Sequence, residues 1–418
     1  MPTTAPASAA VPAGASPPSV LVVGIGADGW DGLAGPGRAA LRAARVVLGG
    51  ERQLALLPAG VGGRRIAWPS PLLPALPGLL ADHADHGLCV LASGDPMWYG
   101  IGARLAGLLG PERLTVLPHP SAVSLACARM GWPVESVTVI RATGPGLDRV
   151  RRAAMPGGRL VVLSADATTA ASLAGVLADA GFGASRLTLL ESLGAPAERR
   201  VEGDAGGWRR PAGDPLNVVA VSVAADHPRS VRSTVPGLPD SAFDHDGAIT
   251  KRELRALALA RLAPVAGQLL WDVGAGAGSV GIEWLRAAPA ARAVAVESRP
   301  DRAEQIAANA RRLGVPELAT VVGEAPAALA GLPAPDAVFV GGGVTTDGLV
   351  EACWAALPAA GRLVAHAVTI EGEQVLVAHA RRRGGDLTRV AVDRAAPLGG
   401  FTGWQPARPV VQWAVDKP

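Results

Sequence analysis

The chain has 418 residues, enough for two or three domains that each bury a core. Half of it is apolar (49%) and 18% is charged, which excludes an intrinsically disordered protein. A net charge of +3 is too small to announce a nucleic-acid partner. Gly and Pro, together about a fifth of the residues, exclude a long coiled coil.

Residues 1–18 have neither a basic n-region nor an apolar h-region and read as a disordered tail. No run of 18 uncharged apolar residues predicts a transmembrane helix, so no membrane partner and a cytoplasmic protein are expected. Cys89, Cys127 and Cys353 lie far apart without metal-ligand spacing. They read as small buried hydrophobes in a reducing compartment, and no metal is expected.

The first apolar run, Val20–Val23, ends in glycines. Val46–Leu48, Leu88–Ala92, Leu114–Leu117 and Val137–Ile140 are similar, with helical patterns such as Arg38–Arg45 and Ser121–Met130 between several of them. Short apolar runs alternating with helices predict α/β layers built on parallel strands. Arg159–Leu163, a helix over Thr168–Ala180, Leu187–Leu190 and Val218–Val223 continue the series, so residues 19–225 read as two small α/β lobes. Residues 226–248 are polar and rich in Pro, Asp and Ser, and read as a linker. A helix over Lys251–Leu262 follows, with Thr250 as its cap and Glu253 completing a capping box. Strands at Leu269–Val273, Ala293–Glu297, Thr320–Val322, Ala337–Val340, Arg362–Ala365, Leu387–Val392 and Val410–Val415 then make residues 249–418 a doubly wound sheet.

The strongest motif is Asp272-Val273-Gly274-Ala275-Gly276-Ala277-Gly278, a glycine turn between an apolar strand and a helix. Such a turn lets backbone approach a ligand, and the helix N–H groups hold an anionic group. Glu297 ends the next strand, where an acid can accept both ribose hydroxyls of an adenosine. The competing reading is a tight turn with a surface acid. Near the N-terminus, Gly24-Ile25-Gly26-Ala27-Asp28-Gly29 satisfies G-x-G-x-x-G, but no helix is expected before about Pro36, so the context of a dinucleotide site is missing. Gly94-Asp95-Pro96 forms another turn after a strand, and His119-Pro120-Ser121 lies further on. His245 reads first as part of a solvated linker triplet and second as a proton-handling or carboxylate-binding group, and His119 beside Pro120 is similarly ambiguous.

The Asp272–Gly278 run resembles motif I of class I S-adenosylmethionine methyltransferases. Gly323–Pro326 and Gly341–Gly343 stand where that family contacts the adenine and faces the methyl group. The glycines after the first strand, Gly94–Pro96 and His119–Ser124 together resemble the tetrapyrrole methylase family, whose members hold the cofactor between two α/β lobes. Arg141–Gly144 departs from that family's usual Ser-x-His-Gly-Arg-like stretch. One half placed ahead of the other resembles the fused, decarboxylating precorrin methyltransferases of cobalamin synthesis.

The resemblance implies a two-lobed tetrapyrrole methylase domain followed by a Rossmann-like methyltransferase domain. It implies two S-adenosylmethionine sites, one at Thr250, Gly274, Ala275, Gly276, Ala277, Gly278, Glu297 and Ala325, the other at Gly24, Gly26, Gly94 and Asp95. The tetrapyrrole would be methylated at C5 by the first half, and methylated at C15 with decarboxylation of the C12 acetate by the second. A homotetramer through the C-terminal domain is also implied. No catalytic residue is singled out, and arginines are expected to meet the substrate carboxylates. The alternatives are an NAD-dependent oxidoreductase and a nucleotide-binding assembly module with one inactive half.

Overall fold

The computed structural model describes residues 20–83 and 87–418; the tail expected at residues 1–18 lies outside them. Five strands form the first sheet: β1 (Val20–Ile25), β2 (Val46–Gly49), β3 (Arg64–Ala67), β4 (Leu88–Ser93) and β5 (Leu114–Leu117). Their order is β3-β2-β4-β1-β5 and every pairing is parallel. The central strands read as unbroken apolar runs because both faces are covered. Val20, Val22 and Val90 enter one core cluster, and Val23, Ile25 and Leu91 the other.

The second sheet contains β6 (Thr138–Arg141), β7 (Arg159–Leu163), β8 (Arg186–Glu191), β9 (Arg199–Asp204) and β10 (Asn217–Ser222), in the order β6-β7-β10-β8-β9. β3 and β9, which the apolar pattern misses, are both edge strands with half-exposed or exposed residues. An edge strand has less to bury, so its sequence is not obliged to carry an apolar run, as β3 and β9 do not although the edge strands β5 and β6 do.

The third sheet is seven-stranded: β11 (Leu269–Val273), β12 (Arg292–Glu297), β13 (Ala319–Val322), β14 (Ala337–Val340), β15 (Arg362–Ala367), β16 (Asp386–Val390) and β19 (Val410–Asp416). Its order is β13-β12-β11-β14-β15-β19-β16, parallel through β15 and antiparallel on both sides of β19. All seven expected strands are present. A further hairpin of β17 (Asp393–Leu398) and β18 (Phe401–Pro406) forms a separate two-stranded sheet. Trp284 and Trp413 are fully buried and Trp271 nearly so, which makes these tryptophans packing groups.

Two local expectations need correction. A four-residue helix, Gly29–Gly32, begins before Pro36, which itself sits in the first turn of helix Gly35–Ala43. The capping box does not form: helix Arg252–Leu262 is capped by Lys251 without a side-chain bond. Thr250 is drawn off by Arg255, whose guanidinium takes its carbonyl (2.5 Å), and Glu253 pairs instead with Arg394.

By compactness the described chain divides into two units. One comprises residues up to Val139 with 188–202 and 212–220; the other comprises 140–187, 203–211 and 221–418. The expected boundary at 226–248 follows composition, whereas this division follows packing. Within the second unit, Glu317 takes ion pairs from Arg149 (3.3 Å) and Arg152 (3.6 Å), and Arg152 donates to the Leu285 carbonyl (2.8 Å).

Candidate functional site

At the C-terminal edge of the third sheet the loops after β11, β12, β13, β14 and β15 surround a cavity of about 770 Å³. That is the place and the size expected for a small-molecule site in a doubly wound sheet. Thr250, Gly274, Ala275, Gly276, Glu297 and Ala325 all line it. Ala277 and Gly278 do not. Ala277 is fully buried with its carbonyl on the Asn309 amide (3.1 Å), and Gly278 faces Ile306, which a Cβ would approach to 2.8 Å. These two shape the turn from behind.

Gly276 has φ +58°, and a Cβ there would stand 2.6 Å from the Ala248 carbonyl oxygen. Both the left-handed backbone and the close approach require glycine. Glu297 is 4% exposed and already ordered: Oε2 accepts the Gly276 N–H (2.8 Å) and Oε1 the Arg299 N–H (3.1 Å). It thus fixes the turn as well as facing the cavity. With S-adenosylmethionine as the ligand that the motif resemblance implies, Glu297→Ala is expected to weaken its binding by about 1.5–3 kcal/mol, the scale of charged hydrogen bonds. Calorimetry on the full chain checks this, and unchanged affinity would remove Glu297 from the site.

Asp272 lies beneath the turn, 1% exposed, with Oδ2 on the Gly281 N–H (2.8 Å) and Oδ1 without a hydrogen-bond partner. Burial pushes its carboxyl up to about 7, opposed by the Gly281 bond and aided by the Glu297 charge. Between about pH 4, where an unfolded aspartate titrates, and about 7, the folded chain binds this proton more tightly than the unfolded one. Stability from Asp272 therefore falls as pH rises through that window and is level above it. Asp272→Asn should flatten this slope and resist denaturant better than the parent at pH 8. Identical pH dependence of unfolding in both proteins would contradict the assignment.

The wall formed by Gly247–Lys251 is held by a buried network. Arg255 is fully buried, bonded to Glu283 (2.7 Å) and Asp240 (3.2 Å) and to the carbonyls of Thr250 and Leu238, with its guanidinium over the Phe243 ring. Glu283 in turn accepts the N–H groups of Gly237 (2.5 Å) and Leu238 (3.0 Å). Outside the wall, Asp244 pairs with Arg312 (3.0 Å), and Asp246 with Arg302 (2.8 Å) and Arg299 (3.3 Å). The Ala248 N–H and these arginines hold the Asp246 carboxyl below its ordinary value. His245 does not line the cavity and accepts the Gly247 N–H (3.1 Å), so this triplet anchors the segment.

On the β14–β15–β19 side the lining includes His366, Arg394 and Arg408, none of which a sequence pattern marks. His366 is 8% exposed. Its Nε2 lies 2.9 Å from Gln412 Oε1, its direct partner across the antiparallel β15–β19 pair, and its ring meets Phe339 edge-on at 5.0 Å. Burial lowers its pKa, against the opposing Gln412 bond, so the imidazole is neutral at pH 7. Arg394 is taken by Glu253; Arg408 has no partner among the described residues.

In the first unit, Gly24, Gly26 and Gly94 converge. The Gly94 N–H donates to the Ile25 carbonyl (3.0 Å), and Gly26 and Gly94 line a crevice of about 80 Å³. Gly24 and Asp95 do not line it: Gly24 is packed against the Gly94 backbone, and Asp95 Oδ1 caps its own turn at the Met97 N–H (2.9 Å). His119 Nε2 pairs with Asp28 Oδ2 (3.2 Å), and a Cβ at Gly26 would press on that nitrogen at 2.6 Å. Among the described residues no helix is long and apolar enough to cross a membrane, and no cluster of His, Cys, Asp and Glu suits a metal ion.

The family described as Precorrin methyltransferase domain matches residues 241–417, and the family Tetrapyrrole (Corrin/Porphyrin) Methylases matches residues 19–207. A Sinorhizobium sp protein named precorrin-6Y C(5,15)-methyltransferase (decarboxylating) is 46% identical over 400 residues, 96% of this chain and 97% of its own. The protein of the same name from Mycobacterium tuberculosis H37Rv is 49% identical over 405 residues, 95% of this chain and all of its own. A Pyrobaculum calidifontis protein named probable cobalt-precorrin-6B C(15)-methyltransferase (decarboxylating) is 34% identical over 182 residues, 42% of this chain and 93% of its own. With relatives this similar over nearly their whole length, the chain belongs to the precorrin-6Y C(5,15)-methyltransferase (decarboxylating) family.

Proposed function

We propose that this chain methylates a precorrin at C5 and C15 and removes carbon dioxide from its C12 acetate, with S-adenosyl-L-methionine bound at two sites. The observation that carries the reading is the large cavity in which Gly274, Gly276 and Glu297 meet at one sheet edge. The residues there suit this cofactor: the turn offers backbone close to the ligand, and Glu297 offers an acceptor at the end of β12. When bound, the cofactor supplies an electrophilic methyl on a cationic sulfonium with a neutral leaving group. The chain's part is to align the reacting atoms and exclude water. Arg408 lines the cavity, without a partner among the described residues, and its guanidinium suits a substrate carboxylate.

The second site is proposed at Gly24, Gly26 and Gly94 in the half matched by the tetrapyrrole methylases. Its crevice is below the size of a whole nucleoside site, so the walls must part to admit the cofactor. The halves are proposed to divide as residues 19–225 and 249–418, with 226–248 as linker. A homotetramer through the C-terminal domain is proposed as well, supported by the exposed Leu398, Phe401 and Trp404 on the β17–β18 hairpin. Light scattering tests it, and a monomer in dilute solution would refute it.

The deciding experiment is mass analysis of the product from a precorrin-6-type substrate. Two methyl gains and one loss of carbon dioxide are expected. Binding of NAD in place of S-adenosylmethionine, or no change in substrate mass, would overturn the reading.

A further inference from the structure

We propose that His366 is the catalytic base of the C-terminal site and carries the proton released by methylation to the carbon that loses carbon dioxide. This rests on the reading above and deepens it. The position comes from sheet order. Glu297, Gly274, Gly341 and His366 lie at or just past the ends of β12, β11, β14 and β15, which are neighbours in that order. At nearly 5 Å per strand, His366 stands about 14 Å across the sheet from the Glu297 strand. Glu297 and the glycine turn take the cofactor, so the imidazole is on the substrate side of the same cavity.

The other lining groups leave it alone for this task. On the β14, β15 and β19 side the titratable residues that line the cavity are His366, Arg394 and Arg408, and guanidinium groups do not accept protons. Glu253 is committed to Arg394, and both oxygens of Glu297 hold backbone N–H groups. Glu324 lines the cavity from the loop after β13, at the opposite edge of the parallel strands from β15, and Lys251 pairs with Asp240 (3.9 Å). Gln412 leaves one ring nitrogen of His366 for the work. With Gln412 Oε1 accepting from Nε2, the lone pair is on Nδ1, which has no protein partner among the described residues. Burial keeps the ring neutral, which suits a base.

The chemistry needs one such group. Replacing hydrogen by methyl on a macrocycle carbon forms a carbon–carbon bond while the donor's carbon–sulfur bond breaks, its electron pair staying on sulfur. The displaced proton passes to Nδ1, and the carbon–hydrogen electrons return to the macrocycle. Decarboxylation breaks the bond between the acetate methylene and its carboxylate. Carbon dioxide leaves, and the pair left on the methylene carbon takes the proton back from Nδ1–H. One proton is released and one consumed, so a single imidazole ends as it began.

The test uses the full chain, S-adenosylmethionine and a precorrin-6-type substrate, with methyl gain and carbon dioxide release followed separately. In His366→Ala both are expected to fall together by about 10²–10⁴-fold, with S-adenosylmethionine affinity by calorimetry within twofold and with added imidazole restoring part of the rate. His366→Gln, which keeps an amide toward Gln412, should show the same loss without rescue and carries the test if the alanine variant does not fold. Nitrogen-15 spectra of the free protein at pH 7 should show Nε2 protonated and Nδ1 bare. Near-normal turnover of the variants, a normal methyl gain without carbon dioxide release, or a protonated Nδ1 would overturn the proposal. A wild-type chain that binds no S-adenosylmethionine would overturn the underlying reading instead.

Discussion

Arg255→Ala should lower the stability of the chain by about 3–5 kcal/mol, the cost of leaving one member of a buried ion pair without its partner. Arg255 is fully buried and Glu283 1% exposed, so neither charge can turn to water. The substitution also releases the carbonyls of Thr250 and Leu238 and the Asp240 carboxylate. Those groups belong to the segment that walls the cavity, so the loss should extend to cofactor binding. Urea unfolding followed by tryptophan fluorescence measures the effect, helped by the buried Trp271 and Trp284. Replacing Glu283 as well should recover only part of it, because the Gly237 and Leu238 N–H groups lose their acceptor. A loss under 1 kcal/mol in Arg255→Ala would show that water reaches the pair.

Gly276→Val should weaken S-adenosylmethionine binding at the C-terminal site by on the order of 100-fold or more, from backbone strain and steric exclusion together. A branched side chain at φ +58° is strained, and its Cβ would be driven against Ala248, whose segment must then move. The Glu297 bond to the Gly276 N–H would be disturbed in the same event. On the proposed two-site reading, calorimetry should then report one remaining binding equivalent, that of the N-terminal site. Two equivalents of undiminished affinity would place the cofactor elsewhere, and none would argue against the second site.

Much of the fold is written in local pattern. Runs such as VLVV at Val20–Val23 and AVFV at Ala337–Val340 are apolar on both faces, as a covered parallel sheet requires. The glycines at 274 and 276 announce a turn because no other residue adopts φ above +50° there at low cost. Edge strands such as β3 and β9 and the exposed β17–β18 hairpin carry no such signal, since their residues are not required to be apolar.

The sequence by itself determined the α/β class, the third sheet's seven strands and the turn and acid at Gly274, Gly276 and Glu297. Each depends on residue type at short spacing. Tertiary structure alone decided that Thr250 does not cap the helix, that Ala277 and Gly278 face inward, and that Asp95 bonds its own turn. It alone brought His366 beside Gln412, 46 residues away, and Arg255 beside Glu283, 28 residues away. The physical reason is that a lone histidine or arginine has no period. Whether it is solvated, buried or aimed into a cavity depends on partners supplied by distant strands, and strand order is set by packing across the whole sheet.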